Sequence, residues 1–581
     1  MKAIKYILFS VTCIAISSCM DILDKKPLTA IGEGDLWADP ALVQGFVNSR
    51  YNQVGHGWTE SMQSSCVDET DLIWGGRGTE PIIFDYISPT ELGRVNGGWY
   101  GWDNRSWGTK WTNISNCNIF FERIGEVPFA DESLRTRLMG EVRFVRCFEY
   151  WDLIQRWGAM PLITQSFTIS DMGPILDQSR ATYKECIDWL VSELDDAATE
   201  LPASFSGANY GRATSVAAKA LKARILLYAA SPLMNDGVTM PQLGYTTPEA
   251  NRWERAATAA QEVIDFAIQN GYGLYKSNSD PALNYQEIFL NATSSNNEVL
   301  FARMGTESSQ NQGLGSVEQW NMPNGYGGWG GNSPLSELVD DYQMADGTPF
   351  SWDNVKAGDN PYVNREPRFY ASINYDGAMW RGRPIENFNT VDAAGNITGG
   401  GKDTTYGIDN WNSSSTGYNM RKFLDESYVP NSNNFPFKKN WIWLRLAEQY
   451  LNLAEALYHT GDEAGARDAV NVIRDRAGLP DITSTGATLL EDIKHERRIE
   501  LVFEEHRFYD VRRWKEGEKY FNSEVHGIDI FHWPDGRVTY KLGKLKQSVS
   551  GVRSFSAKQY WMPILQGEID KNPKLIQNPL Y

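Results

Sequence analysis

The sequence has no apolar run of membrane-spanning length. Its one candidate, Tyr6–Ile16, is eleven residues long; as a helix it rises about 16 Å, roughly half of a ~30 Å hydrocarbon core. A polytopic membrane protein is therefore excluded. Positive charge is also scarce relative to negative. Lys and Arg total 55 against 73 Asp and Glu, for a net charge of −18, which denies duplex nucleic acid the basic footprint it needs. Six cysteines in 581 residues are too few for a disulfide scaffold and form no CxxC pair. The six histidines are scattered, with no HExxH and no pair four apart, so a zinc site is not expected. GxSxG and GxxxxGKS are missing, no GxGxxG follows a strand, and no D-x-D-x-D-G calcium loop is present. Carboxylates are plentiful, but the adjacent Glu504 and Glu505, read as helical, diverge by ~100° and make no hydrolytic pair. No catalytic residue, metal or cofactor is assigned. The chain reads as a non-enzyme.

The N-terminus carries an address. Lys2 and Lys5 precede the apolar run, and Ile16-Ser17-Ser18-Cys19 follows it. This is the layout of a secretory signal over residues 1–18 ending in a lipobox: a branched apolar residue, two small residues, then a thiol able to take acyl chains. Lipidation at Cys19 is expected, with Asp21–Pro27 as a polar tether. Cys147 and Cys186 fall in helical patterns and read as small buried hydrophobes.

Apolar residues recur at three- to four-residue steps over Glu141–Trp157, closed by Gly158. Further helices are expected at Asn113–Ile124, Tyr183–Leu201, Ser215–Ala230 and Arg252–Asn270. Residues 271–440 change in texture: Gly, Asn, Asp, Ser and aromatics dominate without sustained period, which reads as a long loop-rich region. Helices return at Trp443–Tyr458 and, after Thr460-Gly461-Asp462, run to Ala477. Ala454, Ala456, Ala464, Ala466 and Ala469 sit where two antiparallel helices would touch, a unit of tetratricopeptide type. A longer helix, Leu489–Trp514, is expected next; its interleaved Arg, Glu and Asp read as a salt-bridged packing or solvated face.

Several segments, in order along the chain, carry a resemblance. They are the lipobox at Cys19, GEVRFVRCFEYWDLIQRWGAMPL (140–162), GRATSVAAKALKARILLYAASPL (211–233), Pro334–Gly347, REPRF (365–369), TGYNMRK (416–422), LRLAEQYLNLAEAL, ERRIELVFEEHRFYDVRRW (496–514) and the closing YWMPILQGEIDKNPKLIQNPLY (560–581). Together they resemble the SusD/RagB family of outer-membrane lipoproteins. One departure is Glu505, where members often carry Gly. The resemblance implies a mainly α fold of tetratricopeptide-like helix pairs with a loop-rich ligand face. It divides the chain into an N-terminal region, 19–235, and a C-terminal region, 236–581, packed as one unit. It further implies a lipid-anchored protein facing outward from the outer membrane, a SusC-like TonB-dependent transporter as partner, over which it acts as a hinged lid, and capture of glycan or, in some members, peptide. It implies no catalysis; a surface hydrolase is the remaining alternative class.

The residue types suited to sugar are present independently of family. Trp, Tyr and Phe number 21, 27 and 24; a flat ring covers the apolar face of a sugar while amides and guanidinium groups satisfy its hydroxyl rim. The useful signal is an aromatic in a Gly/Asn-rich loop, where it has little reason to be core. Two loops qualify: Asp71–Gly78, with Trp74 and Arg77, and Gln319–Gly330, with Trp320, Asn324, Tyr326 and Trp329. These six are the expected ligand residues, with Asn332 a further hydroxyl partner. Trp380, Arg381 and Arg383 are outlying candidates for the same face, and Trp99 and Trp102 suit either role. Trp107, Trp111, Trp151, Trp157, Trp443 and Trp514 are expected to pack in helices.

Overall fold

The computed structural model describes residues 33–98, 103–168, 170, 172–249, 251–305, 317–356, 358–427, 439–545 and 552–581. The signal segment, Cys19, the tether, Trp99 and Trp102 lie outside them. The longer helices are α1 (Pro40–Gln53), α2 (Trp107–Arg123), α3 (Glu132–Trp157), α4 (Tyr183–Glu200), α5 (Ser215–Ala230), α6 (Arg252–Gln269), α7 (Pro281–Leu290), α8 (Leu446–Thr460), α9 (Glu463–Ala477), α10 (Gly486–Glu500) and α11 (His506–Arg513). Polar side chains start them. Thr182 and Glu185 form a reciprocal capping box on α4, and Asp131, Thr214 and Asp462 cap α3, α5 and α9.

Packing runs along the chain: α2 on α3, α3 on α4, α4 on α5, α5 on α6, α6 on α8, α8 on α9 and α10. The fold is mainly α, a stack of tetratricopeptide-like helix pairs. Helix α5 is wrapped on nearly every side: fourteen of its sixteen residues are buried, and its alanines let α4 and α6 close in. Cys66, Cys117, Cys147 and Cys186 are free and buried, and burial pushes the Cys147 thiol well above its ordinary value. Among the described residues no helix is long and apolar enough to cross a membrane.

The loop-rich stretch is an excursion between α6 and α8, two helices that pack on each other. It holds short strands: β2 (Val299–Arg303), β3 (Asn332–Pro334), β4 (Ile373–Asn374), β5 (Met379–Trp380), β6 (Arg383–Pro384), β7 (Asn389–Val391), β8 (Ile397–Gly400), β9 (Asn419–Met420) and β10 (Trp441–Arg445); β1 (Thr70–Leu72) precedes it, and β11 (Gly527–His532) and β12 (Val538–Gly543) follow. One four-stranded sheet has the order β12-β11-β7-β8, and the other strands pair in twos: β1 with β3, β2 with β10, β4 with β9, β5 with β6.

Two boundaries differ from the sequence reading. Trp443 lies in strand β10, which is buried along its whole length and pairs with β2 with an irregularity at Trp443, so α8 begins at Leu446; alternation and helical period coincide over WIWLRL, and the tertiary partner decides. The helix expected over Leu489–Trp514 is broken between α10 and α11, where Phe503 and Glu505 have φ of 62° and 70°. The charged residues around that break are buried rather than solvated. Arg445 bonds Glu298, Glu500 and Glu504; Arg476 bonds Glu298 and Glu500; Arg368 bonds Glu366, Glu496 and Glu500. Burial alone would raise the Glu500 carboxyl, but Arg476, Arg445 and Arg368 outweigh it and hold it well below the carboxylate range. Glu504, bonded to Lys422 and Arg445, and Glu505, paired with Arg105, serve separate networks and make no catalytic pair.

Candidate functional site

The two loops singled out from sequence meet because β1 and β3 pair antiparallel, with Thr70 opposite Pro334, Asp71 opposite Ser333 and Leu72 opposite Asn332. The ladder continues one step further, Ile73 donating its N–H to the Gly331 carbonyl at 3.0 Å. Trp74 therefore leaves the strand directly across Gly331. A Cβ on Gly331 would lie 2.7 Å from the Trp74 ring and from the Trp320 carbonyl, so only glycine lets the indole lie there. Trp74 meets Trp329 edge to face, ring centroids 6.0 Å apart at 86°. Trp74 is half-buried and Trp329 is 40% exposed.

The Gln319–Gly331 loop is knitted rather than mobile. Trp329 N–H donates to the Gln319 carbonyl, Gly330 to Met322 and Gly331 to Trp320, and the Gln319 amide donates to the Gly327 carbonyl at 2.6 Å. Such cross-bracing holds Trp329 out on a fixed support.

Three of the expected residues turn out to be braces. Trp320 is only 5% exposed; it sits in a short helix, Val317–Asn321, all five residues of which are buried. Asn324 is 1% exposed and spends both amide hydrogens on the Thr404 and Asp409 carbonyls and its oxygen on the Asp409 N–H. Asn332 is equally enclosed, bonded to Met62, Ser65, Glu60 and Asn321. A buried amide with every valence satisfied is not offered to a ligand. Sequence alone does not separate a Gly/Asn loop's braces from its contacts.

Tyr326 is half-buried and also committed. Its hydroxyl donates to the Trp380 and Arg383 carbonyls at 2.5 and 3.1 Å, and the Arg383 guanidinium covers its ring at 3.9 Å. Burial pushes its hydroxyl up to about 12. Arg383 is paired with Asp403 at 2.8 Å, and Trp380 is fully buried. Arg77, half-buried on the Trp74 loop, faces Glu60: burial pushes that carboxyl up, with Arg77 and Arg94 opposing the shift.

One aromatic went unnoticed in the sequence. Trp411 is 68% exposed, on a segment that crosses Gly330, whose would-be Cβ lies 2.8 Å from the Asn412 carbonyl. Tyr406 and Ile408, on the same segment, are also exposed, and Asn324 ties that segment to the Trp329 loop through Asp409. The signal was there: Trp411 stands in GIDNWNSSSTG, the texture that marked the other two loops.

Comparison with known proteins decides the family. Residues 297–581 match the SusD family, and residues 98–227 match a family described as starch-binding, associating with outer membrane. A crystal structure of a SusD-like protein from Bacteroides fragilis is 31% identical, covers 96% of this chain and all of its own, and superposes with a TM-score of 0.74. The chain belongs to the SusD/RagB family. A SusD-like carbohydrate binding protein from Bacteroides fragilis, 23% identical, agrees in fold, covering 93% of this chain and all of its own with a TM-score of 0.72; in sequence, the SusD-like protein P2 of Formosa agariphila is 26% identical over 89% of this chain and 91% of its own.

Proposed function

We propose that this SusD-family chain captures an oligosaccharide or polysaccharide at the outer face of the outer membrane and passes it to a SusC-like TonB-dependent transporter, without catalysing a reaction. The observation that carries the reading is the Trp74–Trp329 pair: two indoles from loops some 250 residues apart in sequence, one lying across a glycine and the other held out on a braced loop. Trp411, exposed on the segment that packs against Gly330, adds another outward ring on a neighbouring loop. Such a surface matches the alternation of C–H face and hydroxyl rim along a sugar chain. The carbohydrate-binding relative of the same fold supports the same ligand class.

Acyl chains on Cys19 would hold the protein beside its transporter and raise the local concentration of captured ligand at the pore. The test of the binding reading is titration calorimetry of an oligosaccharide panel against the wild type, Trp74→Ala and Trp329→Ala. Loss of affinity in both variants with an unchanged melting temperature for Trp329→Ala supports the site. Full affinity in both removes it.

A further inference from the structure

We propose that the glycan taken at this face carries an anionic group, a carboxylate or a sulfate ester, and that Arg381 receives it. The inference rests on the carbohydrate-binding reading and names the ligand class for it.

Strands β5 and β6 form a hairpin in which Trp380 faces Arg383, leaving Arg381 and Gly382 as its two-residue turn. Both have positive φ, 47° and 82°. Tight hairpins of this kind ordinarily place Asn or Gly at such positions, because a longer side chain's Cβ crowds the backbone there. Arginine at the first is a strained choice, and nothing about the turn itself calls for it.

The hairpin is pinned. The Tyr326 hydroxyl bonds carbonyls on both of its strands, Trp380 is sealed beneath it, and the Arg381 N–H donates to Glu426 at 3.2 Å. The tip is therefore fixed beside the loop that carries Trp329, with Gly382 facing open space.

Three arginines gather here and only two have carboxylate partners. Arg383 is paired with Asp403 at 2.8 Å, and Arg421 with Glu426 at 2.7 Å. The Arg381 guanidinium stands 6.0 Å from the Tyr326 ring centre, half-buried, with no ion pair or side-chain hydrogen bond among the described residues. Residues 428–438, which follow Glu426 and Ser427, contain no Asp or Glu to supply one. On the adjoining turn, the Glu386 carboxylate accepts from the Lys402 backbone N–H at 3.1 Å. In a chain of net charge −18, one guanidinium is thus held in a strained turn beside the Tyr326 ring without an ion pair among the described residues. A guanidinium fork suits two oxygens of one carboxylate or sulfate. Tyr326 and Trp329 share a loop, so the anion would sit beside the ring stacked on Trp329.

The test uses an array of neutral, uronate-bearing and sulfated oligosaccharides, probed with the wild type, Arg381→Ala and Arg381→Gly at low and high salt. The expected result is wild-type binding to uronate-bearing or sulfated members, weakened about tenfold in both variants and by salt; the array separates the two anion types. Arg381→Gly should also melt no lower than the wild type, since it relieves the positive φ, which separates lost recognition from lost folding. Wild-type binding confined to neutral glycans, or variants that keep their affinity for the charged ones, overturns the proposal and leaves glycan capture standing. No binding to any glycan overturns both.

Discussion

Glu505 closes a buried ion pair with Arg105 from 400 residues away in the sequence, and it does so from a left-handed backbone position, φ 70°. That conformation favours glycine, and the ion pair gives this chain's carboxylate its role there. Glu505→Gly relieves about 1 kcal/mol of backbone strain but leaves buried Arg105 with only the longer contacts to Asp152 and the Tyr509 hydroxyl. Glu505→Ala strands the same guanidinium and keeps the strain. Both variants are expected to lose stability, alanine by about 3–5 kcal/mol and glycine by somewhat less. Urea unfolding midpoints for the two, set against the wild type, check the order.

Gly331→Ala tests the aromatic pair without touching either indole. The added methyl group meets the Trp74 ring and the Trp320 carbonyl at 2.7 Å, so the indole must swing away from Trp329. Glycan affinity is expected to fall about as far as in Trp74→Ala, at a stability cost of about 1–3 kcal/mol. Calorimetric titration and thermal melting on the same preparation report both.

Trp411→Ala separates exposure from function. The ring is largely in solvent, so its removal is expected to change the melting temperature little, within about 0.5 kcal/mol. Glycan affinity is expected to drop about five- to tenfold, the worth of one stacked ring. Unchanged affinity would confine the site to Trp74 and Trp329.

Glu69 governs a pH dependence with a definite sign. Burial, helped by Asp68 and opposed by Arg498 and Arg507, pushes its carboxyl up to about 8. The folded chain thus keeps a proton that the unfolded chain releases near pH 4.3. Its contribution to stability is fully present below that value, falls as pH rises and is gone once pH passes about 8. Glu69→Gln, which cannot ionise, is expected to remove this part of the decline. Melting temperatures of the two proteins at pH 5 and pH 8.5 should diverge, with the variant relatively more stable at the higher pH. A constant difference across the range would refute the assignment.

Much of the scaffold was legible before any coordinates. Ser215–Ala230 announces itself by its run of alanines and Arg252–Gln269 by the Gly271 stop just beyond it, and the Gly461 and Gly478 stops are local signals of the same kind. What stayed hidden was set by distant partners. Trp443 reads as helical until β2 is laid beside it, and the break at Phe503–Glu505 depends on a guanidinium near residue 100. At the site, the two loops were recognisable by composition, but not which side chains faced outward. Trp320 and Asn324 share the texture of Trp329 and are buried, because the loop folds back on itself and on residues 404–409. The pairing of β1 with β3 that joins Trp74 to Trp329 spans too much chain for any local pattern to reveal.

Because α6 and α8 rest on each other, the chain's departure from the helical spine between them begins and ends at nearly the same spot. Its outer loops can lengthen or shorten without moving the spine, provided that Glu298, Arg368, Lys422 and Arg445 within it keep their bonds to Arg476, Glu496, Glu500 and Glu504. A laboratory graft of a relative's residues 271–445 onto these helices follows the same seam and has to carry those four ionic side chains with it.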